Sequence, residues 1–81
     1  MPKSIFSFGQ EQLQKLLREA RTEAGFSQIE LAKKLGRPQS YVSKYESGER
    51  RLDLVELRQI CQALKMSLTE FVKRFEKAVG A

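Results

Sequence analysis

Hydrophobic residues along this chain recur every three or four positions, and no segment alternates apolar and polar residues over the length of a strand. A repeat of three to four residues places the apolar side chains on one face of a helix. Short interruptions divide the repeat into five parts, so the pattern predicts an all-α fold of five short helices. Their predicted ranges are residues 8–24, 28–35, 38–46, 54–64 and 68–78.

Local signals for helix starts agree with this division. Four of the predicted starts carry a capping box, in which a Ser or Asp side chain accepts a free backbone N–H and a Glu or Gln three residues later reaches back. These boxes are Ser7–Gln10, Ser27–Glu30, Asp53–Glu56 and Ser67–Glu70. The remaining helix is predicted to begin at Pro38, because proline has no N–H to leave unpaired in a first helical turn.

Signals for helix ends follow the same helices. Gly25, Gly36 and Gly48 are placed to take the left-handed backbone conformation at a helix C-terminus. Lys65 occupies the equivalent position after the fourth helix and is expected to carry a small strain, since glycine takes that conformation more easily. The chain of 81 residues is long enough for one domain. We expect a short N-terminal arm over residues 1–7 and a single domain over residues 8–79.

Composition excludes several classes of function. The chain has no histidine and a single cysteine, Cys61, so it can form neither an internal disulfide nor a His/Cys metal cluster. No acid/base pair or cofactor motif stands out, and the commonest general base is missing. We therefore expect that the protein is not an enzyme and that it binds neither a cofactor nor a small-molecule effector. No apolar run approaches the roughly 20 residues that span a bilayer, and a lone thiol suits a reducing, cytoplasmic location.

The predicted helices 28–35 and 38–46, joined through Gly36, have the spacing of a helix-turn-helix. At about 100° per residue, the second helix places Val42 and Tyr45 on one face. Its other face carries side chains that can hydrogen-bond base edges, and no acidic residue interrupts them. This base-reading stripe consists of Gln39, Ser40, Ser43 and Lys44. A plain solvated face would usually mix charge signs, so the stripe favours contact with DNA bases.

The net charge of +5 fits a polyanionic partner, but it would also keep a small protein soluble. Its distribution is more informative, because six basic and two acidic residues lie between Lys33 and Arg51. Most of the surplus charge therefore surrounds the helix-turn-helix. Cations beside a reading helix bind phosphates and set its register, and we assign Arg37 to this role.

Two runs of sequence cover this helix pair and its flanks: LREARTEAGFSQIELA at residues 17–32 and GRPQSYVSKYESGERR at residues 36–51. They resemble the opening and the recognition helix of phage-repressor-like (lambda repressor/Cro type) helix-turn-helix domains, and the similarity covers about residues 13–75. The resemblance implies a five-helix lambda-repressor-like DNA-binding domain with double-stranded DNA as its partner. It also implies that the base-reading stripe occupies the base-contacting positions of the family.

Further roles follow from the same resemblance. Gln28 matches a phosphate-binding glutamine, with a simple helix-start residue as the alternative. Tyr41 and the pair Arg50–Arg51 match positions that contact the DNA backbone, with a solvated loop as the alternative. The family often has Ser or Thr where this chain has Pro38. The capping hydroxyl and any phosphate contact from it are then absent, and the first turn is stiffened instead.

Arg21 and Glu46 match a partly buried ion pair that ties the first helix to the third. Their positions agree with this role. Arg21 follows Leu17 by one helical turn, on the shoulder of the apolar face, and Glu46 lies at the border of the buried face of its helix. An unpaired charge there would be costly, whereas a charge-assisted pair is tolerable.

The fifth helix carries an apolar stripe that is longer than a core of this size needs: Leu68, Phe71, Val72, Phe75 and Val79. Exposed apolar patches mark partner surfaces, so we expect a homodimer interface formed by Phe71, Phe75 and Val79. In the alternative arrangement, the last turn is covered by side chains from the start of the chain: Ile5, Phe6 and Phe8.

These observations favour a sequence-specific transcriptional regulator that reads a palindromic operator as a dimer. A protein-binding adaptor or antitoxin component, with the fifth helix as its contact surface, is the alternative. A pure adaptor would not need the base-reading stripe, however. RNA binding is disfavoured because the stripe lacks exposed aromatic residues spaced for stacking on unpaired bases.

Overall fold

Five α-helices follow one another in the computed structural model, which describes residues 3–80 and their side chains from Phe8 onward. The helices are α1 (Lys3–Glu23), α2 (Gln28–Leu35), α3 (Gln39–Ser47), α4 (Leu54–Ala63) and α5 (Leu68–Gly80). Within the described range no residue is in a strand, and the all-α prediction is confirmed.

The capping boxes predicted at two helix starts are complete. The Ser27 Oγ accepts the Glu30 N–H at 3.1 Å, and the Glu30 carboxylate accepts the Ser27 N–H at 2.8 Å. Asp53 and Glu56 exchange the same pair of bonds at 2.7 and 3.0 Å. At α5 the Ser67 hydroxyl accepts the Glu70 N–H at 3.0 Å. Local capping therefore determines where α2, α4 and α5 begin.

The predicted start of the first helix is wrong. α1 begins at Lys3, so Ser7 lies inside it and is not its cap, and residues 3–7, which we assigned to an arm, belong to the helix. No proline occurs between Lys3 and Glu23, and the single glycine, Gly9, weakens a helix by only about 1 kcal/mol. Pro38 also differs from expectation by one position. It precedes α3 in an extended conformation with ψ 157° and makes no side-chain cap.

The predicted helix ends are confirmed by the backbone. Gly25, Gly36 and Gly48 have φ values of 84°, 68° and 91°, and Lys65 has φ 60°. A residue with a Cβ pays about 1–2 kcal/mol for this conformation. Lys65 therefore ends α4 at a cost that a glycine would avoid.

The core draws on all five helices. α1 packs on α3 and α5, α2 on α3 and α4, and α4 on α5. The buried apolar residues are Leu17, Ala20, Leu31, Ala32, Tyr41, Val42, Tyr45, Ile60, Cys61, Leu64 and Phe71. Because Val42 and Tyr45 anchor α3 in this core, the opposite face of α3 is turned outward.

The structure places Phe71, one of the predicted interface residues, in the core. It is 1% exposed within its own chain, because α5 packs this side chain against α1 and α4. It is therefore a core residue, and its assignment to a dimer interface is wrong. Phe75 and Val79 remain partly exposed, and Val72 is exposed beside them. Of the three residues named as the alternative cover for this region, Phe8 is 49% exposed, and the side chains of Ile5 and Phe6 lie outside the described residues.

In the described range, no helix is long and apolar enough to cross a bilayer. Nor do three or more His, Cys, Asp or Glu side chains gather there as a metal site would require.

Candidate nucleic-acid interface

The base-reading stripe lies on the outer face of α3. Gln39, Ser40 and Lys44 are exposed and Ser43 is half-buried, whereas Val42 and Tyr45 on the opposite face are almost fully buried. Pro38 fixes the backbone that enters the helix, and Gly48 ends it with a left-handed residue. The short sequence between these two residues thus presents amide, hydroxyl and ammonium groups on one surface, which is the chemistry needed to read base edges.

The structure brings Arg21 and Glu46 together beneath this helix. The Arg21 Nε donates to Glu46 Oε2 at 2.7 Å, and Nη2 donates to Oε1 at 3.1 Å. The remaining Arg21 Nη1 donates to the Phe26 carbonyl in the turn before α2, at 2.9 Å. The hydrogen bonds to Glu46 raise the pKa of Arg21, although burial acts in the opposite direction. One side chain of α1 therefore holds both helices of the helix-turn-helix.

Gln28 connects this ion pair to the base-reading stripe. Its Nε2 donates to Glu46 Oε1 at 3.1 Å, and its Oε1 accepts from Gln39 Nε2 at 3.3 Å. The sequence offered two roles for Gln28, a phosphate contact and a simple helix-start residue. The observed bonds add a third role, because the half-buried amide joins α2 to two positions on α3.

The sequence reasoning missed Gln14, which supports the C-terminal end of α3 from α1. The Gln14 Nε2 donates to the Glu46 carbonyl at 3.2 Å, which satisfies a carbonyl in the last turn of the helix. A Cβ at Gly48 would lie 2.9 Å from the Gln14 Oε1, so a larger residue there would have to displace the Gln14 amide and would also be strained by the positive φ. No local pattern reveals a contact between residues 32 positions apart.

A second missed cluster lies around Tyr41. The guanidinium groups of Arg37 and Arg50 lie over its ring, with the Cζ of Arg37 4.5 Å and that of Arg50 4.8 Å from the ring centroid. Arg50 also makes a two-pronged ion pair with Glu56, at 3.1 and 2.7 Å. These bonds, followed by the bond from the Asp53 N–H, lower the pKa of Glu56 to about 2. The cluster thereby fastens the loop after α3 to the start of α4.

This cluster changes the interpretation of two predicted phosphate contacts, Tyr41 and Arg50. Tyr41 is only 7% exposed, since its ring packs in the core, and burial raises its pKa. The Arg50 charge is matched by Glu56, so Arg50 adds less net attraction for phosphate than a solvated arginine does. Arg37 and Arg51 are exposed on the two loops that flank α3. The segments that flank α3 thus carry two exposed arginines, of which Arg37 also lies over the Tyr41 ring, and one arginine that is paired within the domain.

Comparison with known proteins identifies the same region. A family model for helix-turn-helix domains matches residues 17–71, which is more than half of the chain and includes the base-reading stripe, Arg21 and Glu46. No curated protein matches the sequence.

Several solved structures resemble nearly the whole chain. An XRE-family like protein from Pseudomonas syringae pv. tomato str. DC3000 is 42% identical with a TM-score of 0.86, covering 94% of this chain and 93% of that one. The wild-type restriction-modification controller protein C.Esp1396I is 26% identical with a TM-score of 0.81, covering 89% and 92%. The clp gene regulator ClgR from C. glutamicum is 25% identical with a TM-score of 0.77, covering 88% and 91%. By sequence, family model and fold, this chain belongs to the phage-repressor-like (lambda repressor/Cro type) helix-turn-helix family of DNA-binding regulators.

Proposed function

We propose that this protein is a transcriptional regulator that recognises a specific duplex sequence by inserting α3 into the major groove. The observation that carries the proposal is the exposed, acid-free stripe on α3, which is backed by a buried face and by the Arg21–Glu46 pair. The similarity of nearly the whole chain to proteins described as a gene regulator and a restriction-modification controller supports a regulatory role.

Within this proposal, the four residues of the base-reading stripe contact base edges. Arg37 and Arg51 contact phosphates on either side of the groove, and Gln28 lies close enough to the stripe to add a backbone contact. Tyr41 and Arg50 act mainly by holding the two loops in place. Phosphate contacts fix the register of the helix, while base contacts determine which sequence is bound.

Replacing Lys44 with alanine is expected to weaken binding to the preferred sequence by about 1–3 kcal/mol and to leave binding to random duplexes less affected. Arg51→Ala should weaken both kinds of binding and lower the slope of log K against log salt by about one. Duplexes selected from a random pool, titrated at several salt concentrations and followed by fluorescence anisotropy, would measure both effects.

Lys73→Ala is the matched control, because it removes an exposed positive charge from α5, outside the helix-turn-helix. It should change neither the specificity nor the salt slope appreciably. If Lys44→Ala lost the same factor on selected and random duplexes, Lys44 would not be a base contact. If the wild type showed no preference for any duplex, sequence-specific binding would be wrong.

We further propose that two copies of the chain pair through the apolar surface of α5 to read a palindromic operator. An apolar groove of about 130 Å³ opens beside this helix. It is lined by Leu13, Leu57, Val72 and Phe75, and by Phe71, which is 1% exposed and therefore leaves almost no surface for a partner to bury. A two-fold pair would bury this surface and present both α3 helices to one side of the duplex, one helical turn apart.

Sedimentation of the wild type and of Phe75→Glu tests the pairing. The wild type is expected to be dimeric at tens of micromolar, an order-of-magnitude window for weak dimers, and the variant monomeric. Ile29→Glu is the control, because Ile29 is exposed on α2 and lies outside the groove. A monomeric wild type that also fills a palindromic site one copy at a time would exclude the dimer.

A further inference from the structure

Four side chains form a continuous hydrogen-bonded chain from the inside of the domain to its base-reading stripe. Arg21 donates to Glu46, Gln28 donates to Glu46, and Gln39 donates to Gln28. Arg21 and Glu46 are nearly buried, with 12% and 4% of their side chains exposed, whereas Gln39 is exposed. A residue of the core is thereby connected to a residue proposed to read DNA.

The chemistry of these groups fixes the direction of every bond in the chain. An ionised carboxylate can only accept, so Gln28 must turn its NH₂ group toward Glu46. The Gln28 Oε1 is then the atom that faces Gln39, and it too can only accept. Gln39 must therefore turn its own NH₂ toward Gln28. Without Glu46, either amide could rotate by half a turn and exchange its donor and acceptor ends.

We propose that Glu46, held by Arg21, is a positioning residue that sets the amide orientation of Gln39 and thereby determines which base Gln39 recognises. The proposal rests on the base-reading role of Gln39 given above. In the fixed orientation, Gln39 presents its Oε1 and its remaining N–H. This combination matches the N6 donor and N7 acceptor of adenine.

Guanine is disfavoured by the same orientation. It presents two acceptors in the major groove, O6 and N7, so the fixed Gln39 Oε1 would meet another acceptor. A glutamine whose amide is free to rotate could turn its NH₂ toward guanine and lose part of this discrimination. Glu46 thus acts on specificity through Gln28, without touching DNA.

The experiment measures affinity for a selected duplex and for its variants with each base at every position. Gln39→Ala first locates the base pair that Gln39 reads, as the position where discrimination is lost. At that position, Glu46→Gln is expected to lower the preference for adenine over guanine by roughly tenfold, about the size of one base-edge contact. Preferences at the positions read by other residues, and affinity for random DNA, should stay the same.

Gln28→Leu is the second variant, because it breaks the chain while leaving the Arg21–Glu46 pair intact, and circular dichroism checks that both variants fold. If Gln28 also binds a phosphate, its replacement weakens binding to all duplexes equally, whereas the effect predicted here is confined to one base pair. In a Gln39→Ala background, Gln28→Leu should cause no further loss of discrimination at that position.

The outcomes separate this proposal from the one it rests on. If Gln39→Ala changes no base preference, the base-reading role of Gln39 itself is wrong. If Gln39→Ala does change one, but folded Glu46→Gln and Gln28→Leu keep the full preference for adenine, the positioning role of Glu46 is overturned. Should Glu46→Gln not fold, Gln28→Leu and the double variant decide the question alone.

Discussion

Arg21→Met is expected to lower the free energy of unfolding by roughly 3–5 kcal/mol, because it leaves the Glu46 carboxylate buried without its cation. Only 4% of the Glu46 side chain is exposed, so water cannot replace the two hydrogen bonds that Arg21 supplies. Small domains are commonly stable by only about 5–15 kcal/mol, so this loss would remove a large share of the stability. Urea denaturation followed by circular dichroism measures the change.

The double variant Arg21→Met/Glu46→Leu distinguishes the effect of the two charges on stability from the effect of the volume that the two side chains fill. Removing both charges should restore much of the stability, because an apolar pair of similar volume needs no compensating charge. Arg18→Met is the matched control on the exposed side of α1, where a change within about 0.5 kcal/mol is expected. An Arg21→Met variant as stable as Arg18→Met would show that the ion pair does not stabilise the fold.

Phe71→Ala is expected to lower the free energy of unfolding by about 3–5 kcal/mol, through reduced burial and the cavity that it leaves. The side chain is 1% exposed and packs where α5 meets α1 and α4. Thermal unfolding at a concentration where the protein is monomeric measures this effect without a contribution from association.

Val72→Ala, on the next position of α5, is the control for Phe71→Ala. Val72 is exposed, so its truncation should cost far less than that of Phe71. The opposite result, a stable Phe71→Ala variant that has merely lost its ability to pair, would return Phe71 to the dimer interface.

Much of this fold was predictable because its helices are delimited by local chemistry. The range 28–35 predicted for α2 is the observed one, and the predicted ranges of α3, α4 and α5 differ from the observed ones by one or two residues at one or both ends. The Ser27 and Asp53 boxes and the left-handed Gly36 each act over a few residues, so a single sequence contains them. The start of α1 was misplaced because a capping motif at Ser7 also fits inside a longer helix.

The candidate site was predictable only in part, for a related reason. Helical periodicity is enough to predict that Ser40 and Lys44 face outward. It cannot show that Gln14 reaches the end of α3, since that contact depends on how α1 crosses α3. The Arg50–Glu56 pair spans a loop with no regular spacing, and periodicity also could not distinguish buried Phe71 from its exposed neighbours on α5.

The hydrogen bond between Gln39 and Gln28 determines how this scaffold could acquire a new target sequence. Ser40 and Lys44 are exposed, so each can be exchanged singly without opening a cavity in the core. A change at Gln39 also removes a partner from Gln28, whose amide remains committed to Glu46. Retargeting at the base that Gln39 is proposed to read is therefore expected to involve paired substitutions at positions 28 and 39, whereas the other exposed residues of the stripe can change one at a time.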